Sequence, residues 1–121
     1  MSKTIVVIDD SESIRELVGL TLESAGYSVE KGIDGKDALR LFDNREVNLV
    51  ITDLNMPHID GIALIREIRK MEAYSMVPIL VLTTESQAAK KEEAKAAGAT
   101  GWIVKPFVAE KLLAVVQKVI R

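Results

Sequence analysis

Four apolar runs in this 121-residue chain end on residues equipped for chemistry. Ile5-Val6-Val7-Ile8 leads into the doublet Asp9-Asp10, and Leu49-Val50-Ile51-Thr52 leads into Asp53. Ile79 to Leu82 leads into Thr83-Thr84, and Trp102-Ile103-Val104 leads into Lys105-Pro106. Gathered in one place, these would be three carboxylates, a hydroxyl and an ammonium. Carboxylates so close repel one another, and neutralising them by protonation would need large upward pKa shifts. A hard divalent cation with oxygen ligands is the simpler solution, and Mg2+ suits a site of one or two carboxylates, a carbonyl and retained waters. With no cysteine and a single histidine, His58, the chain offers no ligand set for zinc or copper. His58 reads as an ordinary loop residue. Beside such a cation Asp53 could attack a phosphoryl group and become an aspartyl phosphate. Lys105 would stabilise the negative oxygens, and Thr83 would donate to one of them.

Each residue also has a plainer reading. Asp9-Asp10 could cap the helix that follows, Asp53 could belong to the Asn55-Met56-Pro57 turn, Thr83-Thr84 could cap a helix, and Lys105 could be a surface lysine. Capping does not, however, explain a doublet, a lone acid and a lysine on three different strand ends.

The elements that must position these residues follow from periodicity. Ile5 to Ile8 is a continuous β-branched run, the pattern of a strand covered on both faces, and Leu49 to Thr52, Ile79 to Thr83 and Trp102 to Val104 read as the third, fourth and fifth strands. Val29 marks a weaker strand at an edge. Between them lie helical patterns: Ile14, Leu17, Val18, Leu22 and Ala25, opened by a Ser13-x-x-Glu16 capping box and stopped by Gly26; Ala38, Leu39 and Phe42 after Asp34-Gly35; Ile62, Leu64, Ile65, Ile68 and Met71; an Ala/Lys/Glu-rich stretch from Gln87 to Ala97; and Val108, Leu112, Val115, Val116, Val119 and Ile120. Five β-α units with short connections predict an α/β fold: a doubly wound parallel sheet with helices on both faces. Ligands of such sheets sit at the carboxyl ends of the strands, where the polar residues are.

Composition narrows the class. A 48% apolar chain of this length fits one core, and the net charge of −2 suggests no nucleic-acid partner. The N-terminal apolar run is too short for a signal peptide or membrane span, so the expectation is a soluble cytoplasmic protein with no membrane association. The chain reads as a single domain over residues 1–121 with no output domain attached.

The constellation Asp9-Asp10, Asp53 within Asp-Leu-Asn-Met-Pro, Asp60-Gly61, Thr83 and Lys105-Pro106-Phe107 resembles the receiver domain of two-component response regulators over nearly the full chain, and the single-domain chemotaxis type in particular. That resemblance implies a flavodoxin-like (βα)5 fold with strand order 2-1-3-4-5. It implies that Asp53 is the phosphoacceptor, fed by a histidine kinase. Asp10, Asp53 and the Asn55 carbonyl would ligate Mg2+, with Asp9 acting mostly through a water. Lys105 would pair with the carboxylate or phosphoryl group, across a cis bond to Pro106. Thr83 would close on the phosphoryl group and Trp102 would swing inward, although the family usually has Tyr or Phe there. Asn55 and Glu85 would tune phosphoryl lifetime. The output would pass through the fourth helix, fifth strand and fifth helix to a protein target such as a flagellar motor or chemotaxis component, and a separate phosphatase is a possible further partner. On this view the chain catalyses only its own phosphorylation and dephosphorylation.

The same residues admit other functions. A single-domain receiver could serve as a phosphorelay intermediate or kinase regulator, and one that no longer accepts phosphate could only dock, although the site residues are intact. An aspartyl-nucleophile phosphatase would often place a second Asp two residues after the first, where this chain has Asn55. A flavin or nucleotide module shares the architecture, but the acidic Asp9-Asp10-Ser11-Glu12 loop would repel a bare phosphate, and neither glycine-rich phosphate motif is present.

Overall fold

The computed structural model describes residues 2–121. Its strands are β1 (Thr4–Ile8), β2 (Ser28–Gly32), β3 (Leu49–Thr52), β4 (Ile79–Thr83) and β5 (Gly101–Val104). Its helices are α1 (Glu12–Ser24), α2 (Gly35–Ala38), α3 (Gly61–Lys70), α4 (Ala88–Ala97) and α5 (Ala109–Val119). The strands form one parallel sheet in the order β2-β1-β3-β4-β5, with β2 and β5 at the edges.

The side-chain alternation of a strand explains why its central runs are apolar throughout. In β1, Val6 and Ile8 face one layer while Ile5 and Val7 face the other. The first layer joins Val50, Ile79 and Val81 to Leu64, Ile65 and Ile68 of α3 and to Ala94 of α4. The second joins Leu49, Ile51, Leu80, Leu82 and Ile103 to Val18 and Leu22 of α1 and to Leu112 and Val116 of α5. Among the described residues, no helix is long and apolar enough to cross a membrane.

Two local expectations are corrected. The cap of α1 is Ser11, whose Oγ accepts from the Ile14 amide; Ser13 lies inside the helix. The element after Asp34-Gly35 is shorter than its apolar spacing suggests: α2 covers one turn and gives way to a 3-10 turn at Leu39–Leu41, with Phe42 beyond it. Asp34 caps α2 through the Asp37 amide, and Phe42 stacks edge-on against Tyr74 at 5.1 Å. A longer helix would carry Phe42 away from that contact and from the core cluster it completes.

The strand tips are held by main chain as well as by packing. The Asp53 amide donates to the Ile8 carbonyl at 3.0 Å, the Lys105 amide to the Thr83 carbonyl at 2.8 Å, and the Asp9 amide to the Gly32 carbonyl at 3.2 Å. The sheet ladder thus continues to the residues that carry the chemistry. Below Asp53 the chain turns sharply into α3, and Gly61 sits where a Cβ would meet the Asp53 carbonyl oxygen at 2.2 Å and the Leu54 Cα at 2.7 Å. Alanine is the better helix former, yet here the collision is with backbone. Gly61→Ala is expected to lose about 1–3 kcal/mol of stability in urea unfolding, the usual cost of overpacking; a variant as stable as the parent would show that the Asp53–Leu54 backbone can step aside.

Candidate functional site

Asp9, Asp10 and Asp53 come together at the carboxyl end of the sheet. One carboxylate oxygen from each lies within 4.8 Å of the other two. Asp9 and Asp53 are buried and Asp10 is exposed. Asp9 belongs to the β1–α1 connection and Asp53 to the β3–α3 connection, adjacent because β1 and β3 are neighbours in the sheet.

Lys105 ties them across the sheet. Its Nζ donates to Asp9 Oδ2 at 2.7 Å and to Asp53 Oδ2 at 3.0 Å, with all three side chains about nine-tenths buried or more. Burial alone would push the ammonium pKa down, but the hydrogen bonds to Asp9 and Asp53 outweigh it and hold the pKa above its ordinary value of 10.5. The second oxygens of both acids are held by amides, Asp9 Oδ1 by Ser11 N–H at 2.9 Å and Asp53 Oδ1 by Leu54 N–H at 2.7 Å. The bond from Lys105 to Pro106 is cis, as the resemblance implies.

The donor set is all oxygen, clustered, and over-supplied with negative charge: one lysine faces three carboxylates. These residues fit a hard divalent cation. Asn55 lies in the loop just beyond Asp53, exposed to solvent, and its neighbour Leu54 lines a small crevice with it, Asp60 and Lys90.

Thr83 is fully buried at the tip of β4, and its Oγ accepts from the Glu85 amide at 3.2 Å. This leaves the hydroxyl hydrogen free to donate. Glu85 is half-buried and accepts from the Gln87 amide at 3.3 Å. Trp102 is half-buried, packs against the α3-side core, and borders a groove of about 240 Å³ with Lys91, Lys95, Ala99, Thr100 and Gly101. His58 is an exposed loop residue with left-handed backbone, its Nε2 3.9 Å from Asp34.

One residue at the site escaped sequence reasoning. Arg15, half-buried in the first turn of α1, donates from Nη1 to the backbone carbonyl of Asp9 at 2.8 Å. Its place six residues beyond Asp9 is the only signal, and that spacing acquires meaning only when α1 folds back over the strand tip.

Removing the ammonium should expose the mutual repulsion of the acids. Lys105→Met is expected to be less stable than the parent in metal-free buffer, since a buried charge left without its partner costs up to roughly 3–5 kcal/mol. Because the folded-state pKa of Lys105 is raised, its stabilising contribution is complete below the unfolded value of 10.5 and is lost as pH climbs through the folded value. The stability gap between parent and variant, read from thermal melts, should therefore stay constant from neutrality to about pH 10 and close above it. A gap that closes towards neutrality instead would place the effect elsewhere.

Comparison with known proteins agrees with this geometry. The family model described as the response regulator receiver domain matches residues 5–117. The chain is 40% identical over 117 residues to a probable transcriptional regulator, ycf27, of Porphyridium aerugineum, covering 97% of this chain and 48% of that protein. It thus spans about half the length of the curated relatives it matches. Among solved structures, the chemotaxis protein CheY4 of Vibrio cholerae superposes with a TM-score of 0.94 at 44% identity, over 98% of this chain and 99% of that one. The receiver domain of a sensor histidine kinase from Pseudomonas aeruginosa PAO1, which has a magnesium ion coordinated in its active site cleft, gives 0.90 at 28% identity over 98% of each chain. A match from β1 into α5, with the two acidic tips and the lysine bridging them in place, makes this chain a member of the response regulator receiver domain family.

Proposed function

We propose that this domain is a phosphorylation switch in which Asp53 accepts a phosphoryl group from a histidine kinase, with Mg2+ held by Asp10, Asp53 and the Asn55 carbonyl and with Asp9 contributing through water. The observation that carries this is the Lys105 ammonium shared between Asp9 and Asp53 at 2.7 and 3.0 Å beside a third, unneutralised carboxylate. Bound Mg2+ would supply Lewis-acid stabilisation to the phosphoryl oxygens. The chain's own groups do the rest. Asp53 Oδ2 attacks phosphorus, and the bond from phosphorus to the donor atom breaks with its electron pair leaving on the donor. Lys105 then turns from Asp53 to the new phosphoryl oxygens without a change in its own charge. The Thr83 hydroxyl, whose oxygen is already engaged by the Glu85 amide, has its hydrogen available for a third oxygen.

The response would pass to α4. Only Ala94 of that helix is buried, Gln87 provides no side-chain cap, and the helix begins just after the Thr83–Glu85 segment. Movement of Thr83 towards the phosphoryl group would pull on this lightly held element and on Trp102 beside it, changing the face formed by α4, β5 and α5. Asn55 and Glu85 border the reaction centre and would set how readily water reaches the phosphoryl group. Asn55 cannot relay a proton, which suits a phosphoryl group that persists long enough to signal.

The target on that face is a protein, and a component of a flagellar motor or chemotaxis system is the reading favoured by the likeness to CheY4, which the chain matches over 99% of that protein's length. A second reading has support as well: relatives of twice the length are described as transcriptional regulators, which would make the same face a control surface for a DNA-binding partner domain.

The chemistry is tested by incubating the protein with Mg2+ and acetyl phosphate and measuring intact mass. One added phosphoryl group is expected, absent from Asp53→Asn and absent when a chelator is present. Addition that persists in Asp53→Asn would move the acceptor to another side chain. Trp102 fluorescence should change in step with the mass; an unresponsive indole would remove Trp102 from the switch and leave the acceptor chemistry intact.

A further inference from the structure

We infer that Arg15 is a positioning residue for the metal site: by fixing the Asp9–Asp10 peptide it sets the direction of the Asp10 carboxylate. This rests on the proposed Mg2+ binding at the acidic cluster. The three acids are not held alike. Both oxygens of Asp9 are engaged, by Lys105 and by the Ser11 amide, and both oxygens of Asp53 by Lys105 and the Leu54 amide. Asp10 is exposed and makes no such contact among the described residues, so its direction is decided by its own backbone. That backbone lies between the Asp9 amide, the last rung of the sheet, and the Ser11 cap of α1, and the Asp9–Asp10 peptide itself belongs to neither element.

Arg15 provides the missing constraint. Its Nη1 reaches the Asp9 carbonyl at 2.8 Å, and that carbonyl belongs to the peptide whose N–H is Asp10's. Arg15 is itself placed by the first hydrogen bond of α1, from its amide to the Ser11 carbonyl at 2.9 Å, while Ser11 Oγ caps the Ile14 amide. The first turn of α1 therefore grips the connecting segment on both sides of Asp10. Rotation of the Asp9–Asp10 peptide would break the Arg15 bond or leave a half-buried guanidinium without an acceptor, and either is costly.

The alternative role for a cation in this place is electrostatic, and it predicts the opposite sign. A positive charge near the cluster competes with a metal ion, so its removal should tighten metal binding. Loss of a group that orients a ligand should weaken it, on the order of tenfold, as substitutions behind metal ligands do.

The test is calorimetric titration of the full chain with magnesium chloride at neutral pH. The parent should bind. Arg15→Gln should bind about tenfold more weakly, Arg15→Lys should fall between the two because it keeps the charge and loses the planar fork, and Arg66→Gln, an exposed control on α3 that also removes one positive charge, should match the parent. In the metal-free protein the Ser11 amide, which donates to Asp9 Oδ1, should exchange with deuterium faster in Arg15→Gln than in the parent. Equal or tighter Mg2+ binding by Arg15→Gln, or unchanged exchange at that amide, overturns the assignment. A parent that binds no Mg2+ defeats the metal reading itself and not the role of Arg15. If Arg15→Gln does not fold, Arg15→Lys decides: affinity equal to the parent overturns the assignment.

Discussion

One ammonium group holds the acidic end of this molecule together. Lys105 stands 96 residues from Asp9 and 52 from Asp53 in sequence, yet bonds to both. It can do so because the order β2-β1-β3-β4-β5 places the tips of β1 and β3 side by side and β5 two places from β3, within reach of a long lysine side chain extending past the tip of β4. Its positive charge offsets the mutual repulsion of two buried carboxylates. The contact also carries information about the occupant of the cleft. Lys105 is bonded to Asp53 Oδ2, so under the proposed attack by that oxygen the lysine would have to turn away from it as the new bond forms.

The remainder of the fold makes that arrangement rigid. The tips of the strands are fixed by backbone hydrogen bonds from Asp9, Asp53 and Lys105 to neighbouring strands. The strands beneath them are buried on both faces by two separate apolar layers. A side chain presented from such a base loses little freedom when it reacts, because most of its freedom was given up on folding. The Thr52 hydroxyl donates to the Asp53 carbonyl and the Gly61 amide to the Leu54 carbonyl, which closes the turn beneath the Asp53 carboxylate.

Much of this was legible in the sequence, and the parts that were not have physical reasons. β3 and β4 are found where the continuous apolar runs put them, because a strand covered on both faces has no other way to be written. Asp9, Asp53 and Lys105 were identifiable only together: each alone has an ordinary use as a cap, a turn residue or a surface lysine, and it is their recurrence on three strand ends that those uses leave unexplained. The start of α1 was misplaced because Ser11 and Ser13 both have cap chemistry, and the choice between them is made by the Asp9 carboxylate, which accepts from the Ser11 amide and fixes where the helix begins. The early end of α2 goes with a contact between distant segments, Phe42 with Tyr74, which periodicity cannot register. Arg15 was invisible for the same reason: its acceptor is a carbonyl, and a backbone carbonyl leaves no mark on sequence.

The two helices flanking β5 show how a rigid site can act on a yielding surface. α5 buries Leu112 and Val116 in the second layer and is joined there by half-buried Leu113, Val115 and Val119. α4, of nearly the same length, buries Ala94 alone. At about 0.8 kcal/mol per buried CH₂ the difference between one alanine and two large aliphatic side chains amounts to several kcal/mol of anchoring. The C-terminal end of α4 is nevertheless secured: Arg69 donates from Nε and Nη2 to the Gly98 carbonyl at 3.2 and 2.7 Å, and the Thr100 hydroxyl accepts from the Ile79 amide at 3.0 Å. Its N-terminal end, which follows the Thr83–Glu85 segment, has exposed residues from Gln87 to Glu93 and no side-chain cap. A force applied through Thr83 would meet least resistance at that end and most at Gly98, so α4 would tilt about its C-terminus instead of lifting away from the sheet.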